Sequence, residues 1–229
     1  MIQLQKRDYE ILKLCYEQRV VTTEHLRDFV LKEVGERVAR RRVQRLEESG
    51  VIQRKANLQL NQSRLIQLTR QGVQLAQTHA AVSIPQVRKQ DLNTVLHDAC
   101  VTSVRLRLEA LWDGDWLSES VLKAEGFRLI PDGLWTFPNQ SQVAVEIERS
   151  NKGQKRFREL LARWKDSEVS LILYIAVGEV LHRQIKAYLQ KEANDLPVGL
   201  VQYEALLQEA PQIWTRLGEV DLFNRRSLG

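Results

Sequence analysis

Residues 130–155, IPDGLWTFPNQSQVAVEIERSNKGQK, decide how the C-terminal part of this chain is expected to fold. Asp132 ends one apolar run, and the pair Glu146 and Glu148 lies inside the next. Cations follow at once, at Lys152, Lys155 and Arg156. Two neighbouring strands that bring their carboxylates together would hold Mg²⁺, because this ion prefers oxygen ligands. A metal held in this way could bind a phosphodiester and activate water against it.

The segments around this stretch predict helices and strands in a definite order. A long helix, residues 94–112, begins at a Thr94 cap and carries apolar residues at helical spacing. Three runs typical of strands follow, at Trp116–Leu122, Phe127–Phe137 and Gln142–Arg149. The series ends with a helix at Lys152–Lys165, an apolar strand at Ser170–Val177 and a helix at Val180–Glu192. An apolar strand between helices favours a mixed sheet that is covered on both faces.

This element order and two short motifs resemble the PD-(D/E)xK nuclease superfamily, whose core is the restriction-endonuclease-like fold. The resemblance runs from about Thr94 to Glu192. Its motifs are Pro131-Asp132 in the place of PD and Glu146-Ile147-Glu148 in the place of (D/E)xK. The resemblance implies Mg²⁺ as a cofactor. Its expected ligands are Asp132, Glu146, Glu148 and the carbonyl oxygen of Ile147.

The resemblance has one departure, because Glu148 stands where the superfamily usually has a lysine. Some restriction enzymes of the superfamily also carry a glutamate there. Catalysis is therefore still implied, with Glu148, Lys152 and Lys155 as the expected catalytic residues. Either lysine would supply the missing cation. Glu109, or Glu119 on the first strand, could stand for the superfamily's upstream acid.

The N-terminal third predicts three helices, a two-stranded ribbon and a final helix. The helices are expected at residues 7–17, from Thr22 or Thr23 to Leu31, and from Glu36 to Ser49 before Gly50. The ribbon strands are Val51–Lys55 and Arg64–Leu68, with a polar turn between them. Thr69 would cap the last helix. This is the element order of a winged helix-turn-helix.

The third helix of this region has two contrasting faces. At 100° per residue, Ala39, Val43 and Leu46 fall on one side, which suits a core. The other side carries the residues that would contact DNA: Arg37, Arg40, Arg41, Gln44 and Arg45. Arginine and glutamine can bond base edges in the major groove. Cations at the base of the ribbon turn would lie beside the phosphates: Arg54, Lys55 and Arg64. The alternative is a basic face that is merely solvated.

The positive charge of the chain is concentrated at one end. Residues 1–80 hold 15 Lys and Arg against 9 Asp and Glu, a net charge of +6. Residues 81–229 hold 19 against 20, a net charge of −1. We therefore expect an α/β protein with a winged-helix DNA-binding domain at 1–80, a linker at 81–93 and a nuclease-like domain with a mixed sheet at 94–229.

Other features narrow the class of protein. No segment approaches the roughly 18 apolar residues of a membrane span, and the first residues have no apolar signal region. Cys15 and Cys100 lack the CxxC spacing of a zinc site, which favours buried thiols. These observations predict a cytoplasmic protein without a membrane partner.

A narrower resemblance covers most of the chain. The winged-helix region, a helix that starts with His97-Asp98-Ala99, and the segments PDG and VEIERSNKGQKR are similar to the replication-relaxation and mobilisation proteins of plasmids and other mobile elements. This resemblance implies binding to double-stranded DNA at a plasmid origin or transfer locus. The implied task is DNA relaxation, nicking or relaxosome assembly.

The residues leave alternatives open. One is a Mg²⁺-dependent DNA nuclease or nickase. Another is a non-enzymatic transcriptional regulator, or an origin or relaxosome accessory factor, whose nuclease-like domain serves dimerisation or partner docking. A third, a helical adaptor protein, would be excluded by DNA binding of residues 1–80 with a steep salt dependence. Apolar residues near the C-terminus could pack on the sheet or against a second copy in a homodimer: Leu206, Leu207, Ile213, Trp214 and Leu217.

Overall fold

The structure is a computed structural model. It describes residues 3–60, 63–79, 94–193, 195–208 and 211–221. The chain divides into two units, Met1–Leu106 and Arg107–Gly229, and the boundary falls within helix α5 (Val95–Leu111). The predicted linker at 81–93 lies outside the described residues, so the predicted division into 1–80 and 94–229 stays a prediction.

The N-terminal unit contains the predicted order of helices and ribbon. Its helices are α1 (Lys6–Glu17), α2 (Thr23–His25), α3 (Glu36–Glu48) and α4 (Arg70–His79). Its strands are β1 (Val21–Thr22), β2 (Ile52–Ala56) and β3 (Arg64–Leu68). The strands form an antiparallel sheet in the order β1-β3-β2. The predicted second helix is short, because a π-helical turn at Leu26–Val30 replaces its second half.

Local signals place the ends of these helices. Thr22 accepts a hydrogen bond from the backbone N–H of His25, and Thr69 accepts one from that of Gly72, so both predicted caps are confirmed. Helix α3 ends at Glu48, and Gly50 two residues later adopts a φ of 71°, which is favourable for glycine. The N–H of Val51 then bonds back to the carbonyl of Leu46, which closes the end of the helix.

A buried ion pair ties α1 to α3 beneath the apolar core. The fully buried carboxylate of Asp8 accepts hydrogen bonds from the guanidinium of Arg42, including 2.8 Å from Nε to Oδ1. The same carboxylate accepts from the N–H of Gln5 at 2.6 Å, at the start of α1. Charge-assisted hydrogen bonds of this kind satisfy a charge that would otherwise be costly to bury. The pair therefore sets how α3 lies on α1.

His25 is a second buried polar residue of this unit. Its Nδ1 accepts from the N–H of Thr22 at 3.2 Å, so the neutral ring carries its proton on Nε2. Nε2 lies 2.9 Å from the hydroxyl of Ser103 on α5. Burial lowers the pKa of His25 to about 4, because the charged ring would lose its hydration.

We expect the N-terminal unit to lose stability as the pH falls from about 6.5 to 4. The unfolded chain binds a proton at His25 near pH 6.5, whereas the folded protein resists it until about pH 4. The loss attributable to His25 is about 3 kcal/mol at the acid end of this range. It is measured as the difference between wild type and His25→Gln in the free energy of unfolding from pH 8 to pH 4. Parallel curves for the two proteins would contradict this account.

The C-terminal unit is built on a seven-stranded sheet. Its strands are β4 (Asp115–Ser118), β5 (Gly133–Thr136), β6 (Gln142–Glu148), β7 (Leu171–Ala176), β8 (Val198–Gln202), β9 (Gln212–Thr215) and β10 (Gly218–Asp221). Its helices are α6 (Glu119–Ala124), α7 (Gln154–Arg163), α8 (Glu179–Glu192) and α9 (Tyr203–Leu206). The spatial order is β10-β9-β8-β7-β6-β5-β4. The neighbours β6, β7 and β8 are parallel and the other pairs antiparallel, so the predicted mixed sheet is confirmed.

Two predicted strands are shorter than expected. The run Trp116–Leu122 is strand only as far as Ser118, and Glu119 begins helix α6, where it pairs with Lys123 one turn later. Helical i, i+4 ion pairing of this kind competes with a strand pattern. In the run Phe127–Phe137, only Gly133–Thr136 pairs with its neighbours. The prediction that Glu119 lies on the first strand is therefore wrong, because this residue begins helix α6.

The C-terminal apolar residues complete the sheet. Strand β9 pairs with β8 through Gly199 opposite Thr215. Leu206 and Ile213 are fully buried, and Trp214 packs against the same core as β7. These contacts assign Leu206, Ile213 and Trp214 to the core of this unit, whereas Leu217 is fully exposed. The predicted homodimer stays a prediction. No helix in the described part of the chain is long and apolar enough to cross a membrane.

Candidate functional site

The exposed face of α3 carries the residues predicted to contact DNA. Ala39, Val43 and Leu46 are buried in the core, as predicted. The exposed side chains of the helix include Arg37, Arg40, Arg41, Gln44 and Arg45. Because the core contacts leave this side of the helix uncovered, five long polar side chains project together from one rigid element.

Some of these side chains are already engaged and others are not. Arg40 donates to Glu36 at 2.6 Å, and Gln44 donates to Glu48 at 2.7 Å. Both are exposed pairs along the helix, which contribute little stability and can be exchanged for another partner. Arg37, Arg41 and Arg45 have no ion-pair partner among the residues that the structure describes. These guanidinium groups make the face attractive to a polyanion.

The ribbon β2–β3 carries the other predicted cations. The backbone N–H of Arg54 donates to Glu47 at 3.0 Å and its Nε donates at 2.7 Å, so Arg54 joins the ribbon to α3. These bonds also lower the pKa of Glu47. Lys55 and Arg64 are exposed at the end of the ribbon, where Ala56 lies opposite Arg64. The sequence placed all three cations at this turn, and the structure brings only Arg54 into contact with the helix.

Val38 is a residue of this face that the sequence reasoning missed. It lies one turn before Arg41 and is 49% exposed, although it is apolar. The signal was present in the helical wheel, since Val38 falls beside Arg45 and away from Ala39, Val43 and Leu46. An exposed valine among arginines gives the basic face one apolar contact point.

The second candidate site lies where β5 and β6 pair. Gly133 is opposite Val145, so the same antiparallel register sets Asp132 opposite Glu146. Oδ2 of Asp132 accepts a hydrogen bond from the N–H of Ile147 at 2.7 Å. Glu148 ends the strand and is 3% exposed. The sheet thus brings together the three carboxylates that the sequence singled out.

The carboxyl of Glu146 is the group most affected by this arrangement. Burial raises its pKa well above the usual range, and the neighbouring charges of Asp132 and Glu148 raise it further. Lys152 and Arg163 act in the opposite direction but do not cancel the rise. A carboxyl among like charges can be stabilised by a proton or by a cation. The carboxyl of Glu146 is therefore more stable with a proton, or with a cation beside it, than as a carboxylate among these charges.

Lys152 brings positive charge to the third carboxylate. Its Nζ donates to Oε1 of Glu148 at 2.8 Å from the segment before α7. Helix α7 begins only after Gly153, whose φ is 76°, so Lys152 lies outside the helix that the sequence predicted to contain it. Lys155 is exposed on α7, and no contact joins it to the carboxylates within the described residues. Of the two predicted lysines, Lys152 is the one that the fold brings to the site.

Tyr174 is a further residue of this site that the sequence reasoning missed. It lies beside Glu146 in the parallel register of β6 and β7. Its hydroxyl is buried and finds no hydrogen-bond partner in the described part of the chain. Burial raises the pKa of Tyr174, and the charges of Glu146 and Glu148 add to the rise. Its only signal in the sequence was a hydroxyl inside the otherwise apolar strand LILYIA.

The oxygen atoms of these carboxylates determine whether the site could bind the predicted magnesium ion. Asp132 and Glu146 offer oxygen atoms from adjacent strands, which is the chemistry that Mg²⁺ prefers. The described residues contain no group of three His, Cys, Asp or Glu side chains arranged to hold a metal ion. Glu148 is engaged with Lys152. The residues therefore fit a cation through the Asp132–Glu146 pair, and the larger predicted ligand set stays a prediction.

A comparison with protein families matches residues 12–167, which include α3, the ribbon and all three carboxylates, to the family described as replication-relaxation. The chain belongs to the replication-relaxation family. The matched region covers most of the N-terminal unit. In the C-terminal unit of this replication-relaxation protein it covers β4 to α7 and ends before β7. Comparisons with curated proteins and with solved structures give no match.

We expect Glu146→Gln to raise the melting temperature at pH 7. The pKa of Glu146 is higher in the folded protein than in the unfolded chain, so its contribution to stability is complete below the usual carboxyl pKa and is lost as the pH rises. The gain should therefore be small near pH 4 and larger at pH 7. Mg²⁺ should raise the melting temperature of wild type more than that of the variant.

The matched control for this measurement is Glu159→Gln, which changes an exposed carboxylate on α7. It should melt like wild type and respond to Mg²⁺ like wild type. A melting temperature of Glu146→Gln at or below that of the control at pH 7 would argue against the repulsion described for the site.

Proposed function

We propose that this protein binds double-stranded DNA of a mobile element through a winged helix in its N-terminal unit and nicks or cleaves it with a restriction-endonuclease-like C-terminal unit. The observation that carries the proposal is the exposed arginine face of α3, next to a β-ribbon in the element order of a winged helix. Among the described residues, Arg37, Arg41 and Arg45 of this face form no ion pair. Membership of the replication-relaxation family supports a role in replication or relaxation of such DNA.

DNA recognition would follow from the geometry of α3. Arg37, Arg41 and Arg45 repeat at one-turn spacing, so their guanidinium groups can follow a groove and bond guanine edges or phosphates. Val38 would contact the methyl group of a thymine, since apolar side chains recognise that group in the major groove. Lys55 and Arg64 on the ribbon would contact the neighbouring phosphates.

We expect the triple variant Arg37/Arg41/Arg45→Ala to bind a 20-base-pair duplex much more weakly than wild type. Each phosphate contact releases about one counterion, so the slope of log K against log salt should fall by about 2 to 3. The measurement is fluorescence anisotropy of the full-length protein at several salt concentrations.

The matched control is Lys6/Lys13/Lys32→Ala, which removes the same charge from exposed positions elsewhere in the unit. It should keep most of the wild-type affinity and slope. Equal losses of DNA affinity in both triple variants would contradict a specific role of α3 and would indicate only general attraction between opposite charges.

Catalysis would use the carboxylate site of the C-terminal unit. Asp132 and Glu146 would hold Mg²⁺, which when bound activates water and offsets charge on the phosphodiester. Glu148 would hold the ammonium of Lys152 in place through their 2.8 Å hydrogen bond. Lys152 could then stabilise negative charge that develops on the phosphate. In this arrangement Glu148 and Lys152 together replace the single lysine of the superfamily motif.

We expect wild type with Mg²⁺ to nick or cut a supercoiled plasmid that carries a duplex selected by the protein from a random library. Asp132→Ala should abolish this activity, whereas Asp113→Ala, at an exposed position of the same unit, should retain it. Lys152→Ala should lower the rate by about 100-fold, because it removes one group that stabilises the charged transition state. Product bands on an agarose gel give the readout.

A second candidate function is a non-enzymatic origin or relaxosome accessory factor. The observation that favours it is Glu148 in the place of the superfamily's lysine, together with its ion pair to Lys152. This function predicts that wild type and Asp132→Ala bind the selected duplex equally and that neither cuts it. The plasmid assay and the binding assay together separate the two candidates.

A further inference from the structure

A cavity of about 260 Å³ opens beside the carboxylate site within the C-terminal unit. Its walls come from the segment before β5, the start of β6 and the end of α7. Pro131 lines it directly before Asp132 in the chain, and Arg163 lines it while its charge also acts on Glu146. Pro131 and Arg163 therefore connect the cavity to the carboxylate site.

We propose that this cavity binds a single unpaired nucleotide of a DNA strand whose backbone lies at the carboxylate site. The proposal rests on the nuclease function proposed above and adds the state of its substrate. A base inside a duplex is stacked and paired, so it can enter a cavity of this size only after it leaves the helix. The site would accordingly act where the duplex is opened or single-stranded.

The apolar wall of the cavity suits the faces of a base. Phe127 and Trp164 supply aromatic surface, and Leu129, Pro131 and Leu134 supply aliphatic surface. Phe127 is 38% exposed although its ring is apolar, and so it presents a surface for stacking. Stacking on an aromatic side chain is the commonest way in which proteins hold an unpaired base without reading its sequence.

The charged wall suits the rest of a nucleotide. Arg128 and Arg163 line the cavity and form no ion pair within the described residues. They would bind the phosphate next to the base, with Arg163 on the side of the carboxylate site. Asp166 and Glu168 also line the cavity, and their carboxylates can accept hydrogen bonds from ring and exocyclic N–H groups of a base.

The balance of size and charge favours a nucleotide over other ligands. The volume lies just below the roughly 300–1,000 Å³ of most small-molecule sites, which leaves room for one base and its sugar but not for a large cofactor. Two arginines are balanced by two carboxylates, so a ligand that is only an anion gains little net attraction. A ligand that combines an anionic end with an N–H-bearing aromatic end satisfies both sets of groups.

The test is saturation-transfer difference NMR of the full-length protein with dAMP and with 2-deoxyribose 5-phosphate. Inorganic phosphate, which has no carbon-bound proton to observe, is added as a competitor of dAMP. We expect signals on the base protons of dAMP and clearly weaker binding of the two compounds that lack a base. Phe127→Ala should weaken dAMP binding roughly tenfold, the loss expected for one stacking contact. Ile130→Ala is the matched control, because Ile130 is also 38% exposed and does not line the cavity.

Two comparisons, and one result on wild type alone, would overturn the proposal. One is binding of 2-deoxyribose 5-phosphate as tight as that of dAMP, since the base would then contribute nothing. The other is equal dAMP binding by Phe127→Ala and Ile130→Ala, which would move the nucleotide away from this cavity. Absence of dAMP binding by wild type would overturn it as well.

A competition experiment tests the preference for an unpaired strand. A single-stranded 12-mer should displace dAMP, whereas the same sequence as a duplex should displace it less. Displacement by duplex and single strand alike would contradict an unpaired substrate. The dAMP measurement does not depend on cleavage. Binding of dAMP without plasmid nicking would therefore contradict only the nuclease proposal. Plasmid nicking without dAMP binding would contradict only the cavity proposal.

Discussion

The register between β5 and β6 is the constraint on which the C-terminal site depends. Gly133 lies opposite Val145, and a side chain at Gly133 would overlap the ring of Trp116 on β4. Glycine at position 133 therefore leaves room for the ring of Trp116 while Gly133 keeps its register with Val145. Asp132 is thereby set opposite Glu146, two carboxylates that repel each other and that a core would not otherwise bring together. The sheet maintains this repulsion because the packing around it is fixed by many other contacts.

In the N-terminal unit, one helix carries both exposed charged residues and residues of the apolar core. Helix α3 does so by dividing its arginines. Arg42 turns inward to the buried carboxylate of Asp8, and its neighbour Arg41 stays exposed. An inward arginine of this kind costs hydration and is stable only with a partner. The ion pair thus joins α3 to α1, while the buried residues Ala39, Val43 and Leu46 determine which side of α3 faces solvent.

Periodic patterns made much of this predictable from the sequence. The core residues of α3 follow from their helical spacing, and the strand β7 follows from a continuous apolar run of sequence. The predicted strand Trp116–Leu122 was too long, because Glu119 begins a helix and pairs with Lys123 one helical turn later. It could not find the partner of Arg42, since Asp8 is 34 residues away and such pairs leave no local signal.

The sequence by itself determined the two kinds of chemistry in this protein, a basic helix in one half and a PD…ExE carboxylate motif in the other, because both are local patterns. Tertiary structure alone decided which residues meet. It joined Arg42 to Asp8 and placed Tyr174 beside Glu146. It also formed a cavity from segments about 40 residues apart. These outcomes depend on sheet register and helix placement, which result from packing of distant residues and not from the order of neighbours in the chain.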